Sequence, residues 1–526
     1  MTNLLKQSLL GVACGSLLAA GCVADDDDLH QGDEPVSSTS SELTDANVNA
    51  LMKAQLESLR TKYNIPGLAA ALVDNGETIG IAVAGVRREG HPELVALNDS
   101  FMLKSCTKPM TGMLLASLIE DGWLTWDTKI TDIFPEVPIF SLYLDMTVAD
   151  LMAHETGMPP EPYGEPSDNY ASLGPSLPTR RYAYVQEALD DPSASLPPNY
   201  TYSGGSIIVA AMAERLTGQS WETLITNRVW TPLGMSTAGM GESAPNPFTV
   251  ASHERINDIN VPWTPPAGYS TEAHAPAGRN THTNIVDFAK FVAGNLPFAT
   301  KGTRIVETAT LTQMHMKMMF SGFTKGGFFK GPSPWGGNYE VLSHNGKDGK
   351  DYSYMAFSPW ENFGLAVMTN VQDDRAANDL ATEIPAIRRH LVAAKQFSAD
   401  HIPVTAAYAS NVYEDAPQYA ATKAFDGMFS SRWATDNGTV TASLTALFGG
   451  THSFSKIVIT EEYANRVTGF RIERWNGSNW ATAHTGTTIG SDRVIQLRGP
   501  ITASAARLVI TAATGPVTIS EVWFSL

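Results

Sequence analysis

Ser105-Cys106-Thr107-Lys108 sets a hydroxyl and an amine three residues apart. On a helix that interval puts both side chains on one face, about one turn from each other. An amine beside a hydroxyl turns a weak alcohol into a nucleophile, so the segment implies attack on a carbonyl through a covalent acyl intermediate. Met110, Met113, Leu114 and Leu118 follow at helical spacing. Pro109 falls in the first turn, where most backbone donors lack partners anyway. Ser453-Phe454-Ser455-Lys456 repeats the spelling, but in a β pattern, where residues three apart point to opposite faces. That second pair cannot cooperate.

The elements that must position Ser105 alternate between helix and strand. Leu68 to Val73 and Ile79 to Val83 predict two strands joined by a turn at Asp74-Asn75-Gly76. Met110 to Ile119 predicts an apolar helix ending near Asp121-Gly122, and Ile207 to Leu216 a second one closed by Gly218. Leu365 to Met368 reads as a buried strand, and Ala376 to Ala394 as an amphipathic closing helix. Composition changes after Phe397 to runs rich in Thr, Ser, Ala and Val. Lys456 to Ile459, Gly469 to Trp475, Arg493 to Leu497 and Arg507 to Thr511 have strand length, with a hairpin turn at Trp475-Asn476-Gly477. These predict an all-β sandwich.

The bulk numbers bound the rest. A chain of 526 residues is long enough for two domains and a leader. Hydrophobic residues at 43% and charged residues at 17% describe a globular protein. A formal net charge of −18 leaves no basic surplus for phosphates, which argues against nucleic acid as a partner. Residues 1–22 read as an export signal: Lys6, an apolar core from Leu9 to Ala20, then the small residues Ala19-Ala20-Gly21 before Cys22. Leu18 to Cys22 resembles a bacterial lipobox, which implies lipidation of Cys22 and membrane attachment through that anchor alone, or otherwise secretion. Residues 23–44, with Asp25 to Asp28 as a solid run, read as an acidic flexible linker. No later apolar run reaches the roughly 20 residues of a membrane span. Of three cysteines, Cys14 leaves with the signal and Cys22 is acylated, so Cys106 has no disulfide partner and reads as a small buried packing residue.

Further motifs follow Ser105 in a fixed order: Thr147 to Met158 around His154, Tyr202-Ser203-Gly204 before a helix, Pro232 to Met235, and His344-Asn345-Gly346 at a strand edge. This series resembles the serine β-lactamase-like superfamily, which includes class C β-lactamases, D-alanyl-D-alanine carboxypeptidases and family VIII esterases. The resemblance implies an α/β (α+β) domain of β-lactamase/penicillin-binding-protein transpeptidase type over residues 45–397. It implies Ser105 as the nucleophile, Lys108 as the amine that eases removal of its proton, and Tyr202 as general base or proton relay beside that ammonium. It further implies an oxyanion hole from the N–H groups of Ser105 and Lys347, with His344, Asn345 and Gly346 lining the substrate. Each such donor is typically worth ~3 kcal/mol. No cofactor is implied for catalysis. His154 reads as a local hydrogen-bonding residue of the site floor, and Tyr163, Tyr170, Trp263 and Trp335 as candidates to line the acyl pocket.

Other registers stay open: Ser167-Asp168-Asn169 as the second motif, Lys347-Asp348-Gly349 as the strand motif, and His484-Thr485-Gly486, which falls in the β region. One departure matters. The family's second motif is usually Tyr-x-Asn, and here the third residue is Gly204. That Asn normally helps orient the Lys and the amide of a penicillin or peptide substrate, so its absence tells against β-lactamase activity more than against ester hydrolysis.

After a linker at 398–403, residues 404–526 carry Ala424-Phe425-Asp426-Gly427, Ser431-Arg432-Trp433, Thr468 to Ile472 and Ile519 to Val522. These resemble a discoidin, or coagulation-factor C-type, module. The resemblance implies a jelly-roll sandwich, a glycan or cell-envelope ligand, and a structural Ca²⁺ held by Asp426, Ser431 and Glu521, oxygen ligands that suit this ion. Met428 stands where the family often has a second Asp. Trp433 and Trp523 read as core. The whole describes an exported serine acyl hydrolase acting on a small ester or peptide-like substrate. The alternatives are a β-lactamase or D-Ala-D-Ala carboxypeptidase, or an inactive envelope-binding protein.

Overall fold

The computed structural model describes residues 45–159, 174–192, 200–241, 250–265, 271–335, 340–382, 402–426, 431–463, 466–490 and 493–526. The signal, Cys22, the acidic linker, Ser167-Asp168-Asn169, Tyr163, Tyr170 and Met428 lie outside these residues. The chain divides into two compact units, one within residues 40–399 and the other holding residues 400–526.

The first unit is built on a six-stranded antiparallel sheet. Its order is Glu77–Gly85, Gly67–Asp74, Phe363–Thr369, Tyr352–Ser358, Glu340–Lys347 and Phe329–Pro332. The turn between the first two strands places Asn75 and Gly76 at φ 49° and 85°, left-handed values that Asn and Gly tolerate in a tight hairpin. Gly67–Asp74 is apolar along both faces because both are covered. Leu68, Ala70 and Leu72 pack with Met52, Leu56 and Leu59 of the helix Asp45–Lys62. Ala69, Ala71 and Val73 belong to the opposite core with Phe288 and Val292 of the helix Ile285–Gly294. The period-2 alternation of one strand thus feeds two cores.

The larger core holds the helix Thr107–Glu120, buried all round from Thr107 to Leu118. An apolar helix with no wet face must sit centrally, and Ser105 lies just before its first turn. Gly205–Thr217 packs beside it and ends at Gly218, φ 70°, the left-handed C-terminal stop that its sequence predicts. The closing helix is seen over 375–382; its predicted remainder lies outside the described residues.

The second unit is all β. Trp433–Ala434, Thr518–Ser525, Ala442–Glu461, Arg493–Ala513, Val467–Trp475 and Trp480–Gly486 pair in that order, with Ala406–Ala409 added on Ala442–Glu461. The runs Arg493 to Leu497 and Arg507 to Thr511 are two ends of one strand, not separate strands. Its register against Ala442–Glu461 jumps from Phe454↔Ile501 to Lys456↔Gln496, so Gly499 and Pro500 sit in a bulge that bends the strand instead of ending it. Trp433 is fully buried, with Nε1 donating to the Asn411 carbonyl at 2.8 Å.

Candidate active site

Ser105 is the middle residue of a 3-10 turn, Lys104–Cys106, that runs into the helix Thr107–Glu120. Lys108 Nζ lies 3.3 Å from Ser105 Oγ and donates to the Ala277 carbonyl at 2.6 Å. With Lys108 only 2% exposed, this carbonyl holds the amine against the serine and away from water. The same Nζ sits 4.7 Å from the centre of the Tyr202 ring. Ser105, Lys108 and Tyr202 are therefore gathered, although Tyr202 is almost a hundred residues further along the chain.

The strand Glu340–Lys347 closes on this group. A Cβ at Gly346 would stand 2.3 Å from the Leu103 carbonyl oxygen and 2.6 Å from Ser353 Oγ. Gly346 is thus required by the approach of the strand to the nucleophile's own backbone, where the sequence suggested approach to substrate. The strand end and the nucleophile turn are also tied by charge. Lys104 is buried, its Nζ 2.8 Å from Asp348 and 3.5 Å from Asp351. Its backbone is left-handed, φ 49°, a strained state for a Lys that the surrounding contacts must enforce. Lys104 went unread in the sequence; the only signal was its place beside Ser105 and that of Asp348 beside Lys347. Asp348 in this tie and Gly349, φ 92°, form the turn beyond the strand, which leaves His344-Asn345-Gly346 as the strand segment facing the site.

Alternation along that strand separates its residues. His344 and Gly346 are buried, whereas Asn345 and Lys347 point to the opposite face, where the Lys347 side chain lines a polar cleft with Arg255, Gln372 and Arg375. Asn345 is not brought to Tyr202; His344 is, at 6.4 Å between rings. Cys106 is fully buried and its Sγ meets the His344 carbonyl at 3.4 Å. Burial pushes its thiol up to about 12, so it is an inert packing residue.

Two imidazoles flank Tyr202. His154 lies 4.3 Å from it between ring centres, and its Nδ1 accepts from the Ser203 N–H at 3.2 Å. His154 is left-handed, φ 61°. His344 Nδ1 is 2.7 Å from the Asn345 carbonyl, which assigns the proton to that nitrogen. Burial, reinforced by the charge of Lys108, holds His154 well below the usual histidine range and His344 at about 3. Both are neutral at neutral pH. The Nε2 atoms of both rings, and Ser203 Oγ, have no hydrogen-bond partner among the described residues.

Gly204 has a geometric cause that no local pattern signals. A Cβ there would sit 1.9 Å from the Tyr184 hydroxyl. Tyr184 comes from the helix Leu177–Asp190, which is pinned one turn earlier by Arg181, fully buried on Glu214 at 2.6 Å and Glu222 at 2.9 Å. A hydroxyl from a neighbouring helix fills the place of the absent Asn side chain. The aromatic lining also differs from the sequence reading. Trp335 packs on Phe363 and Trp263 on Lys350, while Phe323 and Tyr200 stand beside Tyr202 and His154.

In the second unit, Ser431 Oγ donates to Asp426 at 2.7 Å and Lys423 Nζ lies 3.3 Å from the same carboxylate. Glu521 is buried on the strand Thr518–Ser525. An ammonium on Asp426 competes with any cation, and among the described residues no group of three or more His, Cys, Asp or Glu could hold a metal ion. The Ca²⁺ expectation draws no support from this arrangement. His484-Thr485-Gly486 lies on the strand Trp480–Gly486 of this unit, with His484 paired to Ile472. Among the described residues no helix is long and apolar enough to cross a membrane.

The mixed sheet-and-helix unit with Ser105 at the head of its central helix defines a serine hydrolase fold of β-lactamase and penicillin-binding-protein type. Residues 45–387, well over half of the chain, match the Beta-lactamase family model, and the chain belongs to that family. Residues 406–523 match the F5/8 type C domain. The chain is 25% identical to Penicillin-binding protein 4 of Amycolatopsis lactamdurans over 338 residues, 61% of this chain and 85% of that protein. It is 25% identical to Esterase EstB of Burkholderia gladioli over 274 residues, 49% of this chain and 68% of that one. The octameric penicillin-binding protein homologue from Pyrococcus abyssi shares the fold, with a TM-score of 0.52, 17% identity, and coverage of 87% of this chain and 99% of that structure.

Proposed function

We propose that the protein is an exported esterase working through an acyl-enzyme on Ser105. The observation that carries this reading is the Lys108 amine, 3.3 Å from Ser105 Oγ and 4.7 Å from the Tyr202 ring. Ser105 Oγ attacks the ester carbonyl as Tyr202, in its phenolate form stabilised by the Lys108 ammonium, takes its proton. The oxyanion is met by the N–H groups of Ser105 and Lys347. The C–O bond to the alcohol breaks, the alcohol oxygen takes the proton from Tyr202, and the acyl group stays on Ser105. Water then attacks the acyl carbonyl, giving its proton to Tyr202, and the acid leaves as Ser105 is reprotonated.

An ester is favoured over a β-lactam or peptide because the polar group beside residue 204 is the Tyr184 hydroxyl and not a carboxamide. The similarity to Esterase EstB supports the same substrate class. In this reading the leader and Cys22 direct the enzyme to the cell envelope, and the C-terminal sandwich is its attachment to envelope glycan. The test is hydrolysis of p-nitrophenyl butyrate and nitrocefin by wild type and Ser105→Ala. Ester turnover that the variant loses, with little nitrocefin cleavage, is expected. Strong Ser105-dependent nitrocefin cleavage makes the protein a β-lactamase, and no turnover of either leaves a peptide substrate or a binder, which trapping of an acyl adduct on Ser105 separates.

A further inference from the structure

Phe323 is the hub of an aromatic wall that begins at Tyr202 and reaches the surface. On its inner side it stands edge-on to His154 at 5.1 Å and to His344 at 6.0 Å, and it lies 6.4 Å from Tyr202. On its outer side it stacks against Tyr200 at 5.9 Å with the rings 12° from parallel, and it meets Phe329 edge-on at 5.7 Å. Phe323 is only 8% exposed, whereas Tyr200 and Phe329 are 46% and 45% exposed. The wall is not a loose flap. Glu155, buried and next to His154, accepts the N–H groups of Phe320 and Ser321 at 2.9 and 2.7 Å and so fixes the segment that carries Phe323. A contiguous, half-exposed apolar surface that runs up to Tyr202 is where a substrate puts its apolar part.

Which part of the substrate lies there follows from the proton's route. In the mechanism proposed above, on which this inference rests, Tyr202 returns its proton to the departing oxygen. That oxygen must therefore lie against Tyr202, and whatever it carries continues along the surface that starts at Tyr202. We propose that the Phe323–Tyr200–Phe329 wall is the leaving-group subsite, selecting esters whose alcohol is large and apolar, above all an aromatic ring that stacks on Tyr200.

The test separates the two ends of the ester. One series keeps the butyryl group and changes the alcohol from ethyl to hexyl to benzyl. The other keeps ethanol and lengthens the acid from acetate to octanoate. Acid release by the full chain gives kcat/KM for wild type, Tyr200→Ser and Tyr200→Phe. Wild type is expected to favour benzyl over ethyl butyrate by roughly tenfold or more, the scale a hydrophobic pocket supplies. Tyr200→Ser collapses that ratio while the ranking of acyl chains stays as it was, and Tyr200→Phe, which keeps the ring, restores the ratio. Equal kcat/KM for ethyl and benzyl butyrate in wild type overturns the assignment, as does a Tyr200→Ser effect confined to the acyl series. Loss of all Ser105-dependent ester turnover overturns the hydrolase reading and this subsite with it, whereas turnover with a flat alcohol profile overturns the subsite alone.

Discussion

The two units bury polar groups in different ways. In the sandwich, buried charges are matched by fixed partners: Glu473 is held by Arg471 at 2.6 Å and Arg507 at 2.7 Å, and Glu461 accepts the Val467 and Gly490 N–H groups at 2.8 and 3.2 Å. Among its described residues it buries no imidazole. The hydrolase unit buries Lys104, Lys108, His154 and His344 around one serine, leaves ring nitrogens without partners, and holds Lys104 and His154 in left-handed backbone. A buried polar atom without a hydrogen bond costs about 1–3 kcal/mol. Such atoms also occur away from the site, among them His484 Nε2 and Thr518 Oγ1 in the sandwich and Trp221 Nε1 in the hydrolase unit, so what sets the Ser105 region apart is two buried lysines and two buried imidazoles gathered around one hydroxyl.

Four changes break or sharpen that contrast, in order of expected size. Lys108→Ala should lower kcat/KM on p-nitrophenyl butyrate by roughly 10²–10⁴-fold, the range for a positioned proton-transfer group. An effect under about tenfold by the same assay would make the buried amine a structural feature only. Arg181→Ala leaves Glu214 buried without its guanidinium and should destabilise the hydrolase unit by about 3–5 kcal/mol. Hydrogen exchange read peptide by peptide should show lost protection within residues 45–382 and unchanged protection in the sandwich. Gly204→Ala puts a Cβ on the Tyr184 hydroxyl and should cost about 1–3 kcal/mol in thermal unfolding. Adding Tyr184→Phe, which deletes the colliding oxygen, should recover part of that loss.

Acid should separate the units most gradually. His344 and His315 have folded values of about 3, and His154 is shifted the same way, all lowered by burial. In the unfolded chain each titrates near about 6.5. Between these values the unfolded chain binds protons that the folded one does not, so the contribution is whole above about pH 6.5. It is lost on acidification by about 1.4 kcal/mol per pH unit for each histidine. Protection in the hydrolase unit should therefore fall between pH 6 and pH 4 ahead of the sandwich, and a parallel decline in both would remove the buried imidazoles as its cause.

What the sequence made legible was local. Ser105 and Lys108 stand one helical turn apart, Gly218 stops a helix, and Asn75-Gly76 turns a hairpin, all from neighbours in the chain. Tyr202 and the strand around His344 were found through motif order, which stands in for a long-range contact. Three of the misses are contacts between distant residues. Tyr184 reaches Gly204 across twenty residues, Lys104 pairs with Asp348 across more than two hundred, and Phe323 meets His154 from a loop whose aromatics look like any others. Asn345 was placed at the substrate because a motif does not tell which face of a strand a residue takes. In the sandwich, Arg493 to Leu497 and Arg507 to Thr511 read as separate runs because the bulge at Gly499-Pro500 uses the residues that a turn uses.

The most direct measurement is acid-quenched peptide mass spectrometry of the full chain during turnover of p-nitrophenyl butyrate. The account predicts one butyryl group, carried by Ser105 and absent from Ser105→Ala. Turnover with no such adduct, or with the butyryl group on Cys106 or another residue, would contradict it.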